Sequence, residues 1–181
     1  MPESGIKNTQ ILVVDDDKEL LELYWEVLEE AGFACFTASS GQAALAVFAA
    51  EEIDLAVVDV LMPKMSGLDL FAKVKENHPK VAVVLVSDDD RMDIAVSQIK
   101  RGALDYLVKP VDKAKLIYAV NQALEKQGAY LESRVHQQHL EELLVLQSKA
   151  LENKIREVEA LNQRFACRPE GSEKLQAPES S

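Results

Sequence analysis

The chain has 181 residues, 48% of them apolar and 28% charged, with only 7 Gly and 6 Pro. That is the composition of one globular domain with length to spare, and it excludes a wholly disordered, collagen-like or loop-built chain. The formal net charge of -11, from 31 acids against 20 bases, opposes nucleic acid and anionic membranes as partners, because either polyanion would repel it.

No apolar run approaches the roughly eighteen residues of a membrane span, and Met1 to Lys7 has neither the basic start nor the apolar stretch of a secretory signal. The two cysteines, Cys35 and Cys167, form no CxxC or His-Cys cluster. Cys35 sits in an apolar run and reads as a small core residue. The expected compartment is a reducing cytoplasm.

Residues 1–8 read as a tail. The first apolar run, Ile11 to Val14, ends in three acids, Asp15, Asp16 and Asp17. A helical face follows at Leu20, Leu21, Tyr24, Val27, Leu28 and Ala31, with Asp17 placed to cap its start and Gly32 its end. Then come a run at Phe33 to Thr37, a helix capped by Ser39 or Ser40 that carries Ala44, Val47 and Phe48, and a run at Leu55 to Val58 closed by Asp59. Leu68, Phe71 and Val74 mark a third helix, ending before His78 and Pro79. Val81 to Val86 runs into Ser87, and Ile94, Ala95 and Ile99 mark a fourth helix before Gly102. Leu104 to Val108 meets Lys109, and Asp112 opens a fifth helix through Leu116, Val120 and Leu124.

The runs begin at 11, 33, 55, 81 and 104, so each repeat holds one strand, one helix and two loops. Three runs are almost continuously apolar, as parallel strands covered on both faces must be, while the second and fifth are more polar and suit the edges. Right-handed crossovers make this α/β: a doubly wound (βα)5 parallel sheet, expected in the flavodoxin-like order 2-1-3-4-5. The domain spans residues 9–127.

Beyond it, residues 128–167 show no strand signal. Leu144, Leu151, Val158 and Phe165 recur every seven residues, with Leu140 and Leu161 at the companion position and Gln147 and Lys154 interrupting it. Such a stripe folds back on its own domain or pairs with another helix. A helix from Asp112 to Phe165 would extend about 80 Å, too far to pack wholly on one small domain. The expected outcome is a parallel dimer or a partner helix along Leu144, Leu151, Val158 and Phe165. Residues 168–181 turn polar with two prolines and read as a disordered tail.

In a parallel sheet of this kind, ligands collect beyond the carboxyl ends of the strands. Asp15 and Asp16 stand there after the first run, Asp59 after the third, Ser87 after the fourth and Lys109 after the fifth. Three carboxylates within a few ångströms cannot all ionise without compensation. Protonation or a hard divalent cation such as Mg²⁺ relieves the repulsion, and Lys109 adds a further positive charge. A cation and an ammonium together suit a phosphoryl group carried on one carboxylate.

The stretch from Thr9 to Gln127 resembles the receiver domain of bacterial two-component response regulators. The matching pieces are Ile11 to Asp17, Val58 to Gly67 (Val-Asp-Val-Leu-Met-Pro-Lys-Met-Ser-Gly), Leu85 to Ser87, and Gly102 to Pro110 (Gly-Ala-Leu-Asp-Tyr-Leu-Val-Lys-Pro). The resemblance implies that Asp59 accepts a phosphoryl group from a histidine kinase or phosphotransferase. Mg²⁺ would be held by Asp15, Asp16, Asp59 and the backbone carbonyl of Leu61. Lys109 would bind the phosphoryl oxygens, with Ser87 as switch hydroxyl, Tyr106 as aromatic switch and Pro110 in the cis form. Leu61 stands where many receivers have Asn, Ser87 replaces the commoner Thr, and Asp88 occupies a position usually small and uncharged.

No helix-turn-helix, cyclase or HD hydrolase motif follows Asp112, so output is expected through protein-protein contacts, with no nucleic acid partner, no membrane insertion and no enzyme activity beyond the chain's own phosphoryl chemistry. Two other functions compete. One is a receiver that no longer takes phosphate and serves as a structural adaptor. The other is a haloacid-type phosphohydrolase, for which Asp15-Asp16-Asp17 supplies a D-x-D with Asp15 as nucleophile.

Overall fold

A computed structural model describes residues 9–88 and 97–167. Its strands are β1 (Gln10–Val14), β2 (Ala34–Ala38), β3 (Leu55–Asp59), β4 (Ala82–Ser87) and β5 (Asp105–Val108). They pair in parallel in the order β2-β1-β3-β4-β5, as the alternation predicts. The helices are α1 (Lys18–Glu30), α2 (Gly41–Ala50), α3 (Gly67–Asn77) and α4 (Lys113–Ala166), and residues 97–100 form a short helical segment.

Side chains alternate across the sheet, and that alternation builds two cores. Ile11, Val13, Val57, Val84 and Val86 meet α1 and the start of α4, through Tyr24, Leu28, Leu116 and Val120. Leu12, Val14, Val58, Val83 and Leu85 meet α2 and α3, through Ala44, Phe48, Leu70, Phe71 and Val74. Burial on both faces explains why β1, β3 and β4 carry few polar side chains. At about 1.5–3 kcal/mol per fully buried large side chain, these layers hold the sheet rigid beneath its carboxyl ends.

Local chemistry sets the boundaries. Asp17 caps α1, its Oδ1 accepting from Glu19 N at 2.9 Å and Leu20 N at 3.4 Å. Gly32 follows the α1 C-cap at φ 94°, a conformation that favours glycine. Ser40 rather than Ser39 caps α2, and Ser66 and Asp69 form a reciprocal capping box at the start of α3. The Lys109–Pro110 bond is cis, as expected.

Two expectations need correction or restriction. Ile99, assigned to an inner helical face, is 49% exposed, and its neighbour Gln98 is buried instead. One residue is 100° of helix, so a face placed by a few apolar residues shifts when a polar side chain takes the inner position. Tail 1–8, Ile94, Ala95 and tail 168–181 lie outside the described residues.

The chain divides into two units between Ser133 and Arg134. Within the first, α4 buries Leu116, Ala119, Val120, Ala123 and Gln127. The Gln127 amide donates to Lys80 O at 2.8 Å and so pins the helix to the loop before β4. Gln127→Ala is expected to cost about 1 kcal/mol, read as a lower denaturation midpoint without a change in slope. In the second unit every described residue, through Cys167, is exposed. Among the described residues, no helix is long and apolar enough to cross a membrane.

Candidate functional site

The sheet order brings the carboxyl ends of β1, β3 and β4 side by side, with β5 next to β4. Parallel registers align them: Val14 faces Val58, Asp59 faces Val86, and Ser87 faces Val108. Backbone bonds extend the alignment past the strands, with Val60 N donating to Val86 O and Lys109 N to Ser87 O, both at 2.8 Å. Residues far apart in sequence therefore meet on a stiff frame.

One carboxylate oxygen from each of Asp15, Asp16 and Asp59 lies within 4.8 Å of the others. Asp15 and Asp59 are buried and Asp16 is exposed, so the cluster reaches solvent on the Asp16 side. Lys109 Nζ sits 3.0 Å from Asp15 Oδ2 and 3.0 Å from Asp59 Oδ1. The two contacts differ in kind. Lys109 donates an aligned hydrogen bond to Asp15 Oδ2, whereas its approach to Asp59 Oδ1 is an ion pair without that alignment, leaving Oδ1 buried and, among the described residues, without a hydrogen-bond donor. The other Asp15 oxygen accepts from Asp17 N at 2.9 Å.

Burial raises the Asp59 carboxyl above its ordinary value; Lys109 opposes that shift, and the neighbouring charges of Asp15 and Asp16 add to it. Burial alone would lower Lys109, yet its close pairing with the Asp59 and Asp15 carboxylates carries its ammonium above the usual lysine value. Among the described residues the site is thus short of positive charge: one ammonium serves three carboxylates. Its donor set consists of hard oxygens, one of them buried and, among the described residues, without a donor, and that suits Mg²⁺, which takes one or two carboxylates and keeps several waters.

The structure brings Asp15, Asp16, Asp59 and Lys109 together as the sequence reading requires. Ser87 is fully buried at the end of β4, and Tyr106 is partly buried on β5 beside the core of α2 and α3. Leu61, two residues beyond Asp59, is 59% exposed, and Asp88 is exposed at the rim. Leu144, Leu151, Val158 and Phe165 belong to the second unit. A separate cleft of about 470 Å³, lined by Phe48, Ile53, His78 and Pro79, lies at the amino ends of β3 and β4, away from this chemistry.

Two contributors escape sequence reasoning. Gly67, quoted above only as the end of a motif, lies so close to the phosphoacceptor candidate that an added Cβ would stand 2.0 Å from Asp59 O and 2.8 Å from Val60 Cα. A glycine after Met-Pro-Lys-Met-Ser was the available signal. Tyr24, placed on the inner face of α1 by period alone, lies within the field of the cluster. Burial pushes its phenol up, Lys109 acts in the opposite sense, and Asp15 and Asp59 add to the rise. Nothing in helical period distinguishes it from an ordinary core aromatic.

Comparison with known proteins agrees with this geometry. Residues 11–121 match the response regulator receiver domain family. The chain is 34% identical over 128 residues to the transcriptional regulatory protein GlrR of Escherichia coli K12, covering 71% of this chain and 29% of that protein. It is 36% identical over 117 residues to the nitrogen assimilation regulatory protein NtrX of Azorhizobium caulinodans, covering 64% and 26%. The chain therefore spans less than a third of the length of these curated relatives. Among solved structures, a receiver domain protein from Clostridium thermocellum matches with TM-score 0.63 and 34% identity, over 67% of this chain and 98% of that one. NtrX from Brucella abortus matches with TM-score 0.66 and 32% identity, over 70% and 29%. With a matching family over most of its length and three carboxylates gathered around one lysine, the chain belongs to the response regulator receiver domain family of two-component systems.

Proposed function

We propose that the chain accepts a phosphoryl group on Asp59 from a histidine kinase or histidine phosphotransferase. The observation that carries this reading is the contrast between the two buried acids. Both Asp15 oxygens accept hydrogen bonds, while Asp59 Oδ1 has an ammonium beside it and, among the described residues, no aligned donor. That contrast also disfavours Asp15 as the nucleophile of a phosphohydrolase.

An Asp59 carboxylate oxygen attacks phosphorus, an O–P bond forms and the N–P bond to the donor imidazole breaks. The imidazole leaves with the bonding pair and takes up a proton. Phosphoryl transfer depends mainly on positioning and charge neutralisation. Mg²⁺, held by Asp15, Asp16, Asp59 and the Leu61 carbonyl, supplies neutralisation when bound. Lys109 exchanges part of its pairing with Asp59 for a phosphoryl oxygen. The acyl phosphate gains negative charge and acceptor oxygens; Ser87 turns its hydroxyl towards them and Tyr106 follows into the space released. The face formed by β5 and the start of α4 then changes, and the output passes through protein contacts of that face and of the C-terminal helix.

On this reading the chain is a phosphoprotein of the cytoplasm and not an enzyme acting on a separate substrate. Its negative charge favours protein over nucleic acid partners, although GlrR, one of the relatives named above, is a transcriptional regulatory protein. Incubation with acetyl phosphate and Mg²⁺, followed by intact-mass measurement, is expected to add one phosphoryl group to the wild type and none to Asp59→Asn. Label that survives Asp59→Asn but disappears in Asp15→Asn would identify a hydrolase instead. No label on any form, with Mg²⁺ bound, would identify an adaptor.

A further inference from the structure

We propose that the second unit pairs with the same segment of a second copy of this chain, as a parallel, in-register two-stranded coil. The seam consists of Leu140, Leu144, Leu151, Val158, Leu161 and Phe165, with Gln147 and Lys154 completing its eight positions. The six apolar members are 45–72% exposed, and no described residue from 132 to 167 is buried. A helix gains most of its stability from packing an apolar face, so a segment with this much uncovered surface needs an occupant.

The area fits a second copy. Large aliphatic side chains offer roughly 60–120 Å² of apolar surface each. The six seam residues with Leu143 and Ile155 on the flanks approach the roughly 800 Å² per partner of a standard interface. The pattern is also self-complementary. A closed two-fold dimer of parallel helices sets every residue against itself. Six of the eight layers are then apolar on apolar, including an unbroken series at Leu144, Leu151, Val158 and Phe165.

An antiparallel pair that matches the seam end to end sets Leu140 against Phe165, Gln147 against Val158 and Lys154 against Leu151. It keeps only four apolar layers of eight. In the parallel pair the Gln147 amides bond each other, and the two Lys154 ammonium groups face across the seam. A polar seam residue weakens the coil while fixing its register.

Lys154 gives the distinguishing test. In the full chain, Lys154→Leu is expected to tighten dimerisation by about tenfold or more in sedimentation equilibrium, an effect that a solvated surface lysine would not produce. Leu151→Glu is expected to give monomers that still take up phosphoryl groups, showing that the first unit remains folded. With Cys35 and Cys167 replaced by Ser, Gln147→Cys is expected to crosslink to itself under mild oxidation. Crosslinking only between Gln147→Cys and Val158→Cys chains would overturn the parallel arrangement. Wild type that stays monomeric at about 100 μM with and without acetyl phosphate, or an unchanged constant for Lys154→Leu, would overturn the pairing itself. Asp59→Asn is expected to dimerise as well, so this proposal and phosphoryl acceptance fail separately.

Discussion

Gly67→Ala is expected to destabilise the first unit by about 2–4 kcal/mol and to abolish phosphoryl uptake together with it. The cause is steric. The new methyl would stand 2.0 Å from Asp59 O, 2.7 Å from Asp59 C and 2.8 Å from Val60 Cα, all of them backbone atoms. No rotamer change relieves contact with a main chain. The segment after β3 must move, or α3 must retreat from it, and either shift carries Asp59 away from Lys109. Gly67 N also donates to Val60 O at 3.0 Å, so a displaced helix start loses that bond as well. Gly128→Ala is the control. Among the described residues nothing lies within 4 Å of a Cβ there, and the residue is inside α4, so alanine is expected to add about 0.5–1 kcal/mol of stability. Thermal melts of the two variants should therefore move in opposite directions. A Gly67→Ala protein of wild-type stability that accepts phosphate normally would show that the contact between α3 and the Asp59 segment is dispensable.

Asp59→Asn is expected to do two things at once: remove phosphoryl uptake and raise stability in magnesium-free buffer by about 1–2 kcal/mol. The second follows from the direction of the Asp59 shift. Its folded pKa lies above its ordinary 3.8, chiefly through burial. The native state therefore binds the proton more tightly than the unfolded chain does. Stability from this group is fully present below the unfolded value and is lost as pH rises through the folded one. At neutral pH the buried carboxylate is a net burden, which an uncharged amide removes even though the ion pair to Lys109 is lost with it. Lys109 has the same sign in a different window: its raised pKa contributes stability below 10.5, lost only as pH climbs through the higher folded value. It does not vary near neutrality.

Magnesium should reverse the ranking. Binding to the folded state alone stabilises by about 2.7 kcal/mol at a hundred times the dissociation constant. The wild-type melting temperature is expected to rise with Mg²⁺ and that of Asp59→Asn to respond weakly. Equal responses would remove Asp59 from the metal's ligand set.

Spacing and pattern carried much of this protein on their own. A repeat of about two dozen residues, each pairing a short apolar run with a helical face, admits few compact solutions other than a parallel sheet covered on both sides. Acids, a hydroxyl and a lysine at the ends of those runs must then collect at one edge of that sheet, because parallel strands all point the same way. Caps were similarly legible: Asp17 and Asp112 sit where unpaired helix amides need an acceptor, and each accepts from them, at 2.9 Å from Glu19 N and 2.8 Å from Lys115 N.

Contacts between segments distant in sequence needed the folded chain. Gly67 matters because α3 starts against the backbone of Asp59, and Gln127 because one amide reaches a carbonyl 47 residues away. Tyr24 became part of the site's electrostatics through its burial within reach of the charges of Lys109, Asp15 and Asp59, which helical period does not encode. The contrast between Asp15 and Asp59 was equally hidden: identical side chains differ only in which donors the fold aims at them. Sequence determines which chemical groups are supplied and on which element; tertiary structure decides which oxygen is left without a donor, because hydrogen-bond direction and burial arise only when separate segments pack together.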